Sequence, residues 1–270
     1  HNRSFAEIDL SGCVLTDDPA ADAYVVPGGM AIPAGGFLQF TASDLGFGLS
    51  ASGETVYLKN PAGTRVIDSL RFGAQAPGAT FGRQPDGHPH LVGELASATP
   101  GASNSGLATH DVMINEIMFK PIHADGSEYV ELHNRAATAV DLGGWAFTSG
   151  IDYSFPAGAS VSAGGFVVVA KDRAGLLADH PQLDAARVFG NFGGSLSDRG
   201  EVLTLARPIA LGGGTGFVIV DTSSYTDAMR RADGGGSSLE LIDPDADNRH
   251  AANWAASDES GKAPWTQIEH

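Results

Sequence analysis

The residues of this chain best equipped for chemistry are acidic. Asp243, Asp245 and Asp247 stand at alternate positions in Asp243-Pro244-Asp245-Ala246-Asp247-Asn248. Carboxylates at the first, third and fifth places of a loop are how calcium gathers hard oxygen ligands. The pattern then departs, because Asn248 replaces the usual glycine and Trp254 holds the twelfth place in lieu of a bidentate Glu. Without an ion, the same run reads as an Asp-rich turn leaving a strand at Ser238–Ile242. Calcium on these three aspartates is the one cofactor that the sequence leaves open.

Glu116, Glu128 and Glu131 lie close in sequence and suggest acid–base work. A carboxylate pair acts as acid and base only in a cleft that sets its two pKa values apart. In Tyr129-Val130-Glu131-Leu132-His133, apolar and polar residues alternate, the period of a half-buried strand, so the acidic side chains are expected to face solvent. His88 and His90, in Gly87-His88-Pro89-His90, have no Cys or well-spaced third His beside them and read as a surface turn. Cys13 is the only cysteine, so no intramolecular disulfide is possible, and a buried core position is expected for it. Gly46-Phe47-Gly48-Leu49-Ser50-Ala51 fits a loose dinucleotide fingerprint but precedes a strand, so its context rejects it. No Gly-x-Ser-x-Gly, His-Glu-x-x-His or P-loop pattern occurs. No catalytic residue is assigned, and the chain is not expected to be an enzyme.

The elements that must carry these residues follow from composition and repetition. The 36 glycines and 14 prolines, nearly a fifth of 270 residues, alongside 42% hydrophobic residues, suit many short strands joined by tight turns. An internal repeat organises them. His1-Asn2-Arg3 and Ile8–Thr16 match His133-Asn134-Arg135 and Val140–Thr148. Ile32–Phe37 matches Val161–Phe166, and Leu49–Leu58 matches Leu196–Leu205. Val66-Ile67-Asp68 echoes Val220-Asp221, with Phe72 and Tyr225 following. The second copy adds an insert at about 171–195, holding a helix capped by Asp172 and ended by Pro181. It also has a preface, Val112–Met118 and Glu128–Leu132, with no counterpart ahead of His1. The fold expected is all-β: two immunoglobulin-like antiparallel sandwiches in tandem, with one short helix in the second. The first spans 1–104 without its opening strands, 105–110 is a linker, 111–258 is a complete module, and 259–270 leads towards a further domain. Strands are expected at Ile8–Thr16, Gly36–Thr41, Glu54–Lys59 and Thr64–Ser69 in the first copy. In the second they fall at Val140–Phe147, Gly165–Ala170, Glu201–Ala206, Phe217–Asp221 and Ser238–Ile242.

Ile114-Asn115-Glu116-Ile117, Glu128–Asn134 and Asp141-Leu142-Gly143-Gly144-Trp145 together resemble the lamin tail domain. Tyr153–Gly158, Ala163-Gly164-Gly165-Phe166 and a closing Asn253-Trp254 continue the likeness. The residues carrying the motif are Asn115, Glu116, Glu131, Asn134, Asp141, Gly144, Trp145, Gly164, Gly165 and Trp254. The resemblance implies an immunoglobulin-like sandwich without catalytic activity. In bacteria it implies a structural, adhesive or protein-interaction module of a large secreted or cell-surface protein. Its partners would be other domains of that protein, or surface proteins. The alternative is an accessory region of an extracellular hydrolase, nuclease or kinase-like enzyme whose catalytic domain lies outside these residues. The start at His1 suggests a piece of something longer. With 32 acidic against 16 basic residues, a formal charge of −16, no nucleic-acid partner is expected, because that affinity needs cations to neutralise phosphates. No apolar run of about 18 residues is present, so no membrane-spanning helix is expected.

Overall fold

β-branched and aromatic runs punctuated by glycine turns fold here as short antiparallel strands. The structure is a computed structural model that describes residues 1–21, 23–89, 92–121, 127–227, 229 and 237–257. The chain divides into two units: 1–109 with 209–218, and 110–208 with 219–270.

In the first unit the strands are β1 (Ile8–Asp9), β2 (Val14–Thr16), β3 (Tyr24–Val25), β4 (Ala31–Ile32), β5 (Glu54–Lys59), β6 (Val66–Phe72), β7 (Phe81–Arg83) and β8 (Val92–Glu94). They form one four-stranded sheet, β3-β2-β5-β6, and two pairs, β1-β4 and β7-β8. Its core is small: Leu10, Cys13, Val26 and Ile32, with Tyr24, Met30, Leu38, Phe40 and Leu58 partly buried around them. A one-turn helix, α1 (Ala42–Leu45), also lies in this unit, where no helix was expected. The expected strand at Gly36–Thr41 is absent, since no neighbouring strand among the described residues bonds to it.

The second unit is a two-layer sandwich. Its strands are β9 (Val112–Met118), β10 (Tyr129–Asn134), β11 (Val140–Asp141), β12 (Ala146–Ser149), β13 (Tyr153–Ser154), β14 (Ser160–Val161), β15 (Phe166–Ala170), β16 (Val188–Gly190), β17 (Gly200–Leu211, as far as residue 208), β18 (Gly214–Thr226, from residue 219), β19 (Leu239–Leu241) and β20 (Trp254–Ala256). One sheet has the order β16-β15-β10-β9-β19-β20, the other β13-β12-β17-β18, with β11-β14 as a separate pair. The expected strand Val140–Phe147 is split by the turn at Gly143-Gly144, which leaves β11 and β12 in different sheets. Between the layers Ile114, Ile117, Val130, Leu132, Val167, Val169 and Leu239 meet Phe147, Leu203, Leu205 and Tyr225. Each such side chain, fully buried, contributes about 1.5–3 kcal/mol.

Helix α2 (Arg173–Asp179) forms where the sequence predicts it: Asp172 accepts from the N–H groups of Ala174 and Gly175, satisfying two orphan donors of the first turn. Leu176 and Leu177 then cover the outer face of the six-stranded sheet, over Met118, Tyr129, Val168, Ala170 and Val188. All six residues of β10 are buried.

Several residues of the two units make similar hydrogen bonds. Asn134 Nδ2 donates to the carbonyls of Thr138, Val161 and Ser162 at 2.9, 3.3 and 2.9 Å. Asn2 Nδ2 donates likewise to Ala6, Ile32 and Pro33 at 2.7, 2.9 and 3.0 Å. Arg135 reaches the Asp245 carbonyl, and Arg3 the Gly87 carbonyl. Glu201 accepts from Ser197 N and Glu54 from Ser50 N, each bracing a turn into its strand. Gly200 and Gly53 hold φ of +100° and +92° at those turns. A Cβ there would meet backbone at 2.2 and 2.6 Å, so no other residue fits.

Candidate functional site

The acidic residues singled out by sequence converge on β9 and β10, and they are not exposed. Glu131 pairs with Glu116, whereas Leu132 pairs with Ile114, which leaves Asn115 as the extra residue of a β-bulge. The bulge sets Asn115 and Glu116 side by side against Glu131, and Asn115 Nδ2 donates to Glu131 Oε1 at 2.9 Å. Glu240 on β19 pairs with Glu116 on its other side, so three carboxylates run in a row across three strands. Glu116 and Glu131 are only 4% and 5% exposed. Solvent-facing positions were expected; the side chains of Asn115, Tyr129 and Ser238 instead close around the pair, with β19 alongside.

Glu116 Oε1 accepts from Tyr129 OH at 2.6 Å and from the Ser238 hydroxyl. Ser238 is tied in turn to Ser257 Oγ, through its N–H at 2.9 Å and its hydroxyl at 2.8 Å. Burial, then the neighbouring Glu116 charge, raises the Glu131 carboxyl well above its ordinary range. Two opposed carboxylates with separated proton affinities are an acid–base pair in principle. Enclosed as these are, they offer a substrate no approach, and what they do is bond strands together.

Glu128 acts the same way. Its Oε2 accepts from Leu196 N at 2.9 Å and its Oε1 from Lys171 Nζ at 3.2 Å, fastening the start of β10 to the loop before β17. On the far side of β9, Asp221 Oδ2 accepts from Ile114 N and from Asn248 Nδ2, both at 2.7 Å. Asn248 also donates to the Ile114 carbonyl at 3.0 Å and accepts from Trp254 Nε1 at 2.8 Å. Burial raises the Asp221 carboxyl, against those donors. Asp221 thus joins the two sheets. Sequence reading missed its role, although the repeated Val-Asp pair was the signal that marked it.

The aspartates considered for calcium are used by their own turn. Asp243 Oδ1 accepts from Asp245 N, and Asp247 holds the Arg249 guanidinium at 2.8 and 2.9 Å. Asn248, which broke the calcium pattern, is the buried anchor of the loop. Among the described residues no group of three or more His, Cys, Asp or Glu side chains is arranged to hold a metal ion, and Asp243, Asp245 and Asp247 form no such group.

The remaining candidates fall as follows. His88 N–H closes a turn onto the Pro85 carbonyl, and His90 lies outside the described residues. Cys13 is buried in the first core, and burial, then the Asp9 charge, pushes its thiol up. Gly46 ends α1 with φ +73°. Asp141 Oδ1 accepts from Gly143 N, and Gly144 (φ +77°) completes the turn that brings Trp145 onto the core. Gly164 (φ +61°) and Gly165 turn the chain into β15, where Asn134 N–H meets the Gly165 carbonyl at 2.9 Å. Trp254 is 7% exposed and caps the core beside Leu241.

A family model described as the Lamin Tail Domain matches residues 106–254, more than half of the chain. The chain belongs to the lamin tail domain family. That family is a non-enzymatic, immunoglobulin-like one, in keeping with an all-β chain whose sheets are joined by buried polar struts. The lamin tail domain match runs from β9 through β19 and ends at Trp254, the first residue of β20. Among solved structures, a crystal structure of a DUF4876 family protein from Bacteroides thetaiotaomicron matches with a TM-score of 0.35 at 13% identity, covering 76% of this chain and 85% of that one. No curated protein matches.

Proposed function

We propose that this lamin tail domain chain is a non-catalytic structural or adhesive module that works through protein contacts within a larger secreted or cell-surface protein. One observation carries the reading: its chemistry-bearing side chains are built into the sandwich. Glu116, Glu128, Glu131 and Asn248 are buried, Asp221 is half-buried, and all are bonded to strands or to the loops that join them. Such networks fix register and sheet pairing; they do not present groups to a substrate.

In this reading the first unit is a second, incomplete copy of the same module. The matched cages of Asn2 and Asn134 and the matched bonds of Arg3 and Arg135 support it. Tandem copies suit a spacer that presents neighbouring domains, and the partners are domains of the parent protein or other surface proteins. A charge of −16 opposes nucleic acid and anionic lipid surfaces alike. The test is labelling of intact cells of the source organism with an antibody raised against this chain. Labelling without permeabilisation is expected; labelling only after lysis overturns the surface assignment.

A further inference from the structure

The acids built into the second unit are unequally supplied with donors. Glu116 accepts from the Tyr129 and Ser238 hydroxyls, and Glu128 from Leu196 N–H and Lys171 Nζ. Asp221 accepts from Ile114 N–H and Asn248 Nδ2. Glu131, 5% exposed, accepts from Asn115 Nδ2 alone, and among the described residues no Lys, Arg or His side chain pairs with it. A carboxylate taken out of water needs several donors or a cation, and one amide N–H is too few. An idle acceptor lies beside it. Asn115 is 8% exposed, and its Oδ1 is buried without a donor, on the same carboxamide whose Nδ2 reaches Glu131. One proton on Glu131 answers both shortages. The remaining groups of this face do not: Glu116 of β9 and, beyond it, Glu240 of β19 add negative charge. Val168, the β15 partner of Glu131, is apolar. Along β10, the Tyr129 hydroxyl donates to Glu116, and burial pushes the His133 imidazole down.

We infer that Glu131 holds a proton in the folded module at neutral pH and bonds through it to Asn115 Oδ1, a switch that the Glu116 charge keeps set. With the proton on Oε2, acid and amide close a ring of two hydrogen bonds, Asn115 Nδ2 to Oε1 and the acid O–H to Oδ1. With the proton lost, one bond remains, Oδ1 is idle again, and two like charges stand opposite each other on β9 and β10. Burial and the facing Glu116 both raise the proton affinity of Glu131, and Glu240 adds to them. The β-bulge brings the parts together, since it sets Asn115 and Glu116 side by side against one carboxyl. The pairing of β9 with β10 is therefore tighter in acid than in alkali.

The experiment follows the Glu131 side-chain carboxyl carbon and the Asn115 carboxamide by NMR in the full chain, each assigned through its own backbone, as pH is raised. Glu131 is expected to titrate with a midpoint above about pH 7, against about 4.3 for a free glutamate, and the Asn115 resonances should move with the same midpoint. Glu116→Gln keeps an oxygen for Tyr129 and Ser238 but removes the facing charge. It should lower the midpoint by about one pH unit, a roughly tenfold weaker hold on the proton. Glu240→Gln, one strand further off, should lower it by less, and serves where the first variant does not fold. A midpoint below about pH 7 leaves Glu131 charged at neutrality and overturns the inference. Asn115 resonances that stay still while Glu131 titrates overturn the bond to Oδ1. A midpoint that neither substitution lowers overturns the role given to the neighbouring charges.

Discussion

Asp221 and Asp68 stand at matching places in the similar sequence blocks of the two units and meet opposite surroundings. Asp221 is half-buried, with β9 on one side supplying Ile114 N–H and the Asn248 amide completing the site. Asp68 has no such neighbours; it turns outward to the Arg83 guanidinium at 2.5 and 2.8 Å, its side chain 52% exposed. Burial therefore raises one carboxyl, whereas the hydrogen-bonded Arg83 lowers the other. The same residue type becomes an inter-sheet strut or a surface ion pair according to whether a second layer lies over it. Leu205 and Leu58 make the point with apolar residues, the first fully buried and the second only partly so.

The comparison breaks most visibly in the core. Leu205→Ala should destabilise the second unit by about 3–4 kcal/mol, because the two packed sheets cannot close on the cavity. Leu58→Ala should cost the first unit only about 1 kcal/mol, since that side chain is partly wet already. Paired denaturant melts of the two variants check this, and equal losses would mean that the two cores are equally closed. The asparagine cages come next. Asn134→Ala leaves three carbonyls and the Ala136 N–H without their partner and should cost about 2–3 kcal/mol. Asn2→Ala removes the matching bonds to Ala6, Ile32 and Pro33 and should cost a similar amount, about 2–3 kcal/mol.

Acid separates the units by sign. Asp221 and Glu131 have folded-state pKa values raised above unfolded values of about 3.9 and 4.3. Their contribution is fully present below those values and is lost as pH rises through the folded ones. The melting temperature of the second unit should rise as pH is brought from 7 towards 5. Glu131→Gln should raise it at pH 7 and flatten the slope; an unchanged slope would show that Glu131 is not the buried acid. Asp68 runs the other way, because its folded pKa is lowered. Its contribution stands above about pH 3.9 and is lost as pH falls through the folded value. Asp68→Asn, the smallest effect, should cost about 0.5 kcal/mol at neutral pH, and less in high salt.

Much of this architecture was legible in the residues. The Gly-Gly turns, the Asp172 cap and the order of repeated blocks gave the strands, helix α2 and the correspondence between Asn2 and Asn134. Burial of the polar face of β10 was not legible. Alternation in Tyr129–His133 reports two faces but not what covers each: Leu176 packs beside Tyr129, Asn115 bonds to Glu131 and Phe166 stacks on His133, partners that lie 16 residues or more away in sequence. The contacts of the Asp243–Asp247 run were hidden for a related reason: Asp243 and Asp247 bond to their own turn and to Arg249, which spacing alone does not reveal. Phe37–Thr41 has the composition of a strand, yet a strand is defined by a partner, which no local pattern supplies.

Amide exchange on the unmodified full chain tests the central contrast most directly. Val167–Ala170, paired on both edges, should exchange at rates set by opening of the second unit, and Leu38–Thr41 should exchange close to the rate of an unstructured peptide. Comparable protection of the two segments would contradict the account, since the first unit would then hold a closed layer where an open edge is described.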